Sequence, residues 1–343
     1  MPSSYPHHPA YIPVIKWQQY ERYALRHLPA EVQDRVTPCI EIRTSKQHQN
    51  LVDNYHSVRA SHTTLVDYSD PDGRLSGVRL AEFRDFLKIA KTNNYSVVPT
   101  LSPNDLNSLS FQDLNLLASF GEVAIREKIS DFSLSSGQDS RLRAAIGKIK
   151  SVDNCSARVL IDKSQAPEAW TRANCTQLAN AIDQIAAAEI KSIHLLSGAY
   201  PESLTTVKTG MAEFKRNDWA LWKDVNNICT SNVGFGDYGI LNPYWTEETL
   251  ELRGQRLAIR YTRDQDWLIL RADGKTRDHS IAISQILVNV YSSDFKGASY
   301  SYGDKLLEER ADPMVPDKDK KCGHYHITEG WNHHISFVVK DQY

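Results

Sequence analysis

Lys16, Glu41, Asp67, Arg126, Asp162 and Asp237 each stand at the end of, or just after, a short apolar run, with Thr100 and Ser197 in the same setting. Carboxylates gathered a few ångströms apart can hold a divalent metal, or split their pKa values into an acid and a base. A lysine or arginine among them can grip a phosphate or carboxylate. Brought together, these residues would suit a metal-assisted hydrolase or phosphodiesterase, with Lys16 and Arg126 as anion grips and a divalent metal as cofactor. The same residue types can instead satisfy one another as an ion-pair network that only closes a fold. Without spacing that fixes geometry, both readings stay open.

Other motifs are weaker. Gly234-Phe235-Gly236-Asp237-Tyr238-Gly239 has the letters of a G-x-G-x-x-G dinucleotide loop, but an Asn242-Pro243 turn follows where a phosphate-binding helix would have to begin. Cys322, His324 and His326, with His333 and His334 beyond, carry zinc-ligand residue types. Their spacing matches neither a Cys₂His₂ nor a paired C-x-x-C site, so loop and interface histidines are the plainer reading. Trp219 and Trp222, just after Arg216-Asn217-Asp218, are three apart on an expected helix and suit core packing. The sequence contains no G-x-S-x-G, H-E-x-x-H or Walker-type motif.

The elements that must position these groups alternate. Apolar runs at 11–16, 36–42, 63–68, 95–101, 122–126, 158–162 and 193–198, and the glycine-rich stretch 231–239, read as eight strands. Helical periodicity fills the intervals at 18–28, 47–60, 79–92, 104–120, 141–150, 168–189 and 218–227. Strand then helix, eight times over, predicts a (β/α)₈ TIM-like barrel over residues 11–245, preceded by a flexible leader at 1–10. A doubly wound open sheet also alternates and is the runner-up. From residue 246 the pattern changes to a hairpin at 256–261 and 266–271, helices at 281–291 and 305–311, and an apolar run at 331–339 that fits strand or helix. This α+β extension, residues 246–343, has too few core positions to stand alone and is expected to pack on the barrel.

The 343 residues carry 41% hydrophobic and 24% charged side chains, ordinary globular values. A formal net charge of −2 gives no general field for a phosphate backbone, so nucleic acid is not favoured unless a local basic patch exists. Five scattered cysteines do not suggest a disulfide framework. The first ten residues lack an apolar signal core, and no apolar run approaches the roughly 20 residues that span a bilayer. A cytoplasmic protein with no membrane segment is expected.

Taken in order, several elements carry a resemblance: Tyr11-Ile12-Pro13-Val14-Ile15-Lys16 with Glu21 and Ala24-Leu25; Pro38-Cys39-Ile40-Glu41-Ile42; Arg216-Asn217-Asp218-Trp219 with Trp222; Phe235-Gly236-Asp237-Tyr238; Arg260-Tyr261-Thr262; Tyr302-Gly303-Asp304; and Asn332-His333-His334. From about residue 11 to 340 the chain resembles the phage Beta protein family, most specifically in Gly-Asp-Tyr and Asn-His-His. Residues 323–327 depart from the tryptophan- and arginine-containing run expected there. The resemblance implies a protein of phages and bacterial mobile islands, in gene groups that look like phage-defence modules. The family's founding member is associated with protecting the host from a lethal protein encoded beside it. A protein partner encoded nearby, a toxin or defence effector, is therefore expected, with Tyr238, Arg260, Asp304, Asn332, His333 and His334 as candidate ligand- or partner-binding residues. The resemblance supplies no catalytic residue. Recognition of a nucleotide or nucleic-acid end as an infection signal is a further possibility, which a local positive patch would favour.

Overall fold

Strands buried on both faces must be apolar almost throughout, which is why short runs such as Ile12-Pro13-Val14-Ile15 and Val159-Leu160-Ile161 become neighbours in a parallel sheet. The computed structural model describes residues 5, 7–70, 74–244 and 256–343. Eight parallel strands close on themselves: β1 (Ile12–Lys16), β2 (Cys39–Glu41), β3 (Thr64–Asp67), β4 (Val97–Leu101), β5 (Glu122–Lys128), β6 (Ser156–Gln165), β7 (Ser192–Gly198) and β9 (Val233–Asp237). Closure is made by β1 on β9, with Ile12 opposite Gly236 and Pro13 opposite Asp237, which decides for the barrel over the open sheet. Helices α1 (Gln19–Arg26), the short α2 (Ala30–Gln33), α3 (Ser45–Arg59), α4 (Gly77–Thr92), α7 (Ser136–Lys150), α8 (Arg172–Ala186) and α9 (Asn217–Asn226) intervene between the strands. Thr44, Ser76, Ser135 and Thr171 cap four of these by accepting a backbone N–H of the first turn.

Some elements differ from expectation. The helix expected at 104–120 is two, α5 (Pro103–Ser108) and α6 (Phe111–Ala118), because Leu109 is extended and Ser110 caps afresh. A strand not expected, β8 (Gly210–Lys215), follows β7 but leaves the barrel and pairs antiparallel with β11 (Asp266–Arg271), itself paired with β10 (Ala258–Thr262). The sheet of the C-terminal region thus takes an edge strand from within the span assigned to the barrel. The expected junction at 245–246 and the start of the extension lie outside the described residues, as do residues 1–4 and 6 of the leader and 71–73 of the turn after β3. Tyr5 and His8 lie edge-on against Trp222.

After β11 come α10 (Arg277–Gln285), continued by a π-helical turn at Ile286–Val290, then α11 (Tyr302–Ala311) and α12 (Tyr325–Phe337). The run at 331–339 is therefore helical. Helix α12 packs against α1 and β10 and is buried on nearly every side. Among the described residues no helix is long and apolar enough to cross a membrane.

Candidate functional site

The two-residue period of a strand sorts the barrel into layers. At the amino-terminal end of the barrel are Glu122, Arg158 and His194, with Arg158 Nε donating to Glu122 Oε1 at 2.6 Å. Burial pushes the His194 imidazole down to about 3, so it is neutral. Val14, Cys39, Leu65, Val98, Ala124 and Leu160 fill the middle. Two positions further along, Lys16, Glu41, Asp67, Thr100, Arg126 and Asp162 form the layer beneath the mouth, all buried.

Arg126 sits at the centre of that layer. Its Nε donates to Asp162 Oδ2 at 2.9 Å, and Nη1 donates to Glu41 Oε1 at 2.9 Å and to Asp67 Oδ2 at 2.7 Å. Nη2 donates to the Tyr238 hydroxyl at 2.7 Å, which in turn donates to Asp162 Oδ2 at 2.7 Å. Arg43 adds a second guanidinium, 2.5 Å from Glu41 and 3.7 Å from Asp67. Burial would raise the Asp67 pKa, but Arg43 and Arg126 outweigh it and hold the carboxyl below its ordinary range. Burial would likewise strip the proton from Arg126, yet Tyr238 and the three carboxylates hold its pKa well above normal. Lys16 Nζ donates to the carbonyls of Asn242 at 2.9 Å and Tyr244 at 2.8 Å, and burial lowers its pKa to about 8. Three carboxylates thus face three cations.

This corrects two expectations. Arg126 occupies the place among the acids where a metal would sit, and among the described residues no group of three or more His, Cys, Asp or Glu side chains is placed to hold a metal ion. Asp237 is not at the mouth. Gly234 and Gly236 face into the barrel, where a Cβ would meet His194 at 2.2 Å and Leu196 at 2.1 Å, so Asp237 faces outward and Tyr238 takes the inward position. The bend after β9 belongs to Gly239, whose φ of +54° suits glycine and whose Cβ would strike the Trp331 ring at 2.3 Å.

Outside the barrel wall Asp237 is the hub of a second network. It accepts Tyr11 Oη at 2.5 Å and the Gly239 N–H at 3.0 Å on one oxygen, and His334 Nε2 at 2.9 Å on the other. Because the carboxylate can only accept, Nε2 carries the His334 proton, and Nδ1 accepts from the Thr262 hydroxyl at 2.9 Å. Burial opposes charging of His334, and its pKa lies below the ordinary value. His333 lies between Asp304 Oδ2 and the Thr262 carbonyl, both at 2.9 Å from its ring nitrogens. The Tyr261 ring stacks on it at 3.9 Å and donates its hydroxyl to Asp304 at 2.7 Å. Asn332 accepts the Gly303 N–H and donates to the Ala24 carbonyl, each at 2.9 Å, tying α11, α12 and α1 together. Asp304, Asn332, His333 and His334, expected to meet a partner, are buried inside the protein. Arg260 is half-buried and donates to Tyr200 Oη at 2.9 Å. Of the suspected zinc residues, His326 is buried, 2.6 Å from Ser280 Oγ and 3.1 Å from Glu329, whose carboxylate also pairs with Arg310.

A family model described as Beta protein matches residues 11–340. The chain belongs to the Beta protein family. Several residues of the motifs that mark this Beta family chain sit in these networks: Lys16, Glu41 and Tyr238 in the first, and Tyr11, Asp237, Thr262, Asp304, His333 and His334 in the second, which joins barrel to C-terminal helix. No curated protein matches it. Among solved structures, diaminopimelate decarboxylase from Helicobacter pylori complexed with L-lysine aligns at 8% identity and TM-score 0.40, covering 67% of this chain and 56% of its own. Alanine racemase from E. faecalis aligns at 13% and 0.36, covering 70% and 55%. The Beta family chain therefore spans little more than half the length of either enzyme.

Sequence reasoning missed Arg216 and Asp218 as parts of the hub. Arg216 Nη2 lies 3.5 Å from Asp237 and 3.7 Å from Asp218, all three unexposed. Two buried acids sharing one guanidinium cannot both ionise cheaply. Burial pushes Asp218 up to about 7, while His334 and Arg216 outweigh burial at Asp237 and lower it. An acid raised in the folded state holds its proton more tightly folded than unfolded. Its contribution is thus fully present at low pH and drains away as pH rises from the ordinary 3.8 towards 7. Asp218→Asn removes that drain: at pH 8 the variant is expected to be more stable than the parent by about 1–3 kcal/mol, and at pH 4 nearly equal to it. Urea unfolding at both pH values checks this, and a variant that is less stable at pH 8 would assign Asp218 a charged role.

Proposed function

We propose that this Beta family protein is a component of a phage-encoded or mobile-island defence module that binds and neutralises, or regulates, a toxic partner protein. The observation that supports this reading is the ionic lock: Arg126 engages Glu41, Asp67 and Asp162 at once, which leaves no carboxylate of the layer unpaired to act as a base or a metal ligand. The protein then works as a rigid scaffold that presents a surface. The family's association with a lethal neighbour supplies the class of partner. The rival hydrolase reading needs a metal to displace the guanidinium, which exchanges a multiply hydrogen-bonded cation for an ion that must be stripped of water.

The test is co-expression with the product of the adjacent gene. Rescue of growth and co-purification of a defined complex are expected, and both should survive addition of EDTA. Toxicity unrelieved by this chain, with no complex on size-exclusion chromatography, would sink the proposal. Metal-dependent phosphodiester cleavage that is abolished by Asp162→Asn would favour the hydrolase instead.

A further inference from the structure

The three-stranded sheet has two edges, and they differ. Strand β10 is covered: α12 packs against it, and the Thr262 carbonyl lies 2.9 Å from His333 Nε2. Strand β8 is exposed along its length. The Arg216 N–H donates to the Gln265 carbonyl at 2.8 Å, in the register that sets Phe214 opposite Trp267 and Ala212 opposite Ile269. Hydrogen-bonded pairs recur at every second residue of an antiparallel ladder, so Ala212 and Phe214 turn their backbone groups towards β11. Met211, Glu213 and Lys215 turn theirs outward, and among the described residues those N–H and C=O groups have no hydrogen-bond partner. No proline blunts this edge.

An open edge is a template for another strand, and its side chains decide which strand suits it. Outward backbone groups pair only with outward groups, so a second β8 laid antiparallel must set residues 211, 213 and 215 against one another. Glu213 opposite Glu213 would place like charges together, and Met211 opposite Glu213 would leave both charged residues facing uncharged ones. With Phe214 on the two-fold axis, Glu213 of each copy faces Lys215 of the other, and the two Phe214 rings meet on the opposite face of the sheet. The charges are available for this. Arg263 engages Glu213 Oε1, Oε2 accepts no hydrogen bond, and Lys215 is in no ion pair among the described residues.

We propose that the β8 edge is a homodimer interface, where a second copy of this chain adds its own β8 antiparallel about a two-fold axis through Phe214. Each Glu213–Lys215 pair then exchanges both backbone hydrogen bonds as well as a side-chain ion pair, and the two sheets become one. So short a contact gives a dimer that dissociates on dilution. Self-association here is independent of the partner-binding reading, and either can stand without the other.

Sedimentation velocity of the full chain over about a hundredfold range of concentration tests it, with a shift from monomer to dimer expected. Lys215→Glu and Glu213→Lys should each weaken self-association about tenfold, because each sets like charges opposite one another in both pairs. Mixed in equal amounts, the two variants should associate with each other, since the acids of one now face the bases of the other. Both positions are exposed, and Arg263 keeps Asp266 and Asp294 when Glu213 is replaced, so melting curves should match the parent's. Amide exchange at Met211 to Lys215 in the parent gives a second readout, slowing as the dimer forms. A parent that is monomeric at every concentration, variants that dimerise as tightly as the parent, or variants that stay apart when mixed would overturn the proposal. Protection of the β8 amides by the adjacent gene's product, without self-association, would also overturn it and give the edge to that partner.

Discussion

Arg126→Ala should be the most damaging single substitution at the barrel mouth, lowering the unfolding free energy by about 3–5 kcal/mol. The loss is not that of one contact. Removing the guanidinium leaves Glu41, Asp67 and Asp162 together in a dry layer with Arg43 and Lys16 to one side, and Asp67 loses a cation that keeps it ionised. Tyr238→Phe removes only the hydroxyl between Arg126 and Asp162 and should cost about 1–2 kcal/mol. Adding Asp162→Asn to Arg126→Ala should restore part of the stability, because it deletes one of the stranded charges. Urea unfolding followed by tryptophan fluorescence measures all three. If Arg126→Ala costs no more than Arg143→Ala on the exposed face of α7, the lock does not hold the barrel.

Asp237→Ala should be nearly as costly, again about 3–5 kcal/mol, but its effect should be localised differently. The side chain gathers Tyr11, His334, the Gly239 N–H and Arg216, so its loss strands a buried cation and releases α12 from the barrel wall. Amide exchange should rise across residues 325–342 and around Thr262, and much less in β3 to β5. Asp237→Asn keeps the shape and one acceptor and should fall between parent and alanine. Exchange that rises uniformly over the whole chain would mean that α12 and barrel unfold only together.

The barrel was legible in the sequence because parallel strands covered by helices announce themselves as apolar runs. Strand β8 was not. Met211, Glu213 and Lys215 alternate with Ala212 and Phe214 over six residues, an exposed edge that resembles loop until β11 lies beside it. Glu41, Asp67, Asp162 and Arg126 fall in one layer because they end runs of clear parity. Asp237 was misplaced because β9 has glycine at both preceding inward positions. With no side chain at 234 or 236, nothing in the letters says which face is inside, and Tyr238, singled out only through its family motif, is the inward residue. Helix α12 was ambiguous for a related reason: buried on nearly all sides, it has no polar face to betray a 3.6-residue period.

The closing contacts of the barrel are also its most distant in sequence. Tyr11 and Asp237 are 226 residues apart, and Tyr343, whose hydroxyl donates to the Pro9 carbonyl at 2.6 Å, is 334 residues from it. On the ribosome, β1 therefore emerges roughly 10–45 s before β9 exists, at 5–20 residues per second, and longer still before α12 can cover the seam. Throughout that interval the nascent chain displays an unclosed parallel sheet with open edges, the form most prone to mispairing and most in need of a holding chaperone. A chain cut short between β9 and the final helix would keep both strands of the β1–β9 seam but leave it uncovered, so for this fold the finished surface waits on α12.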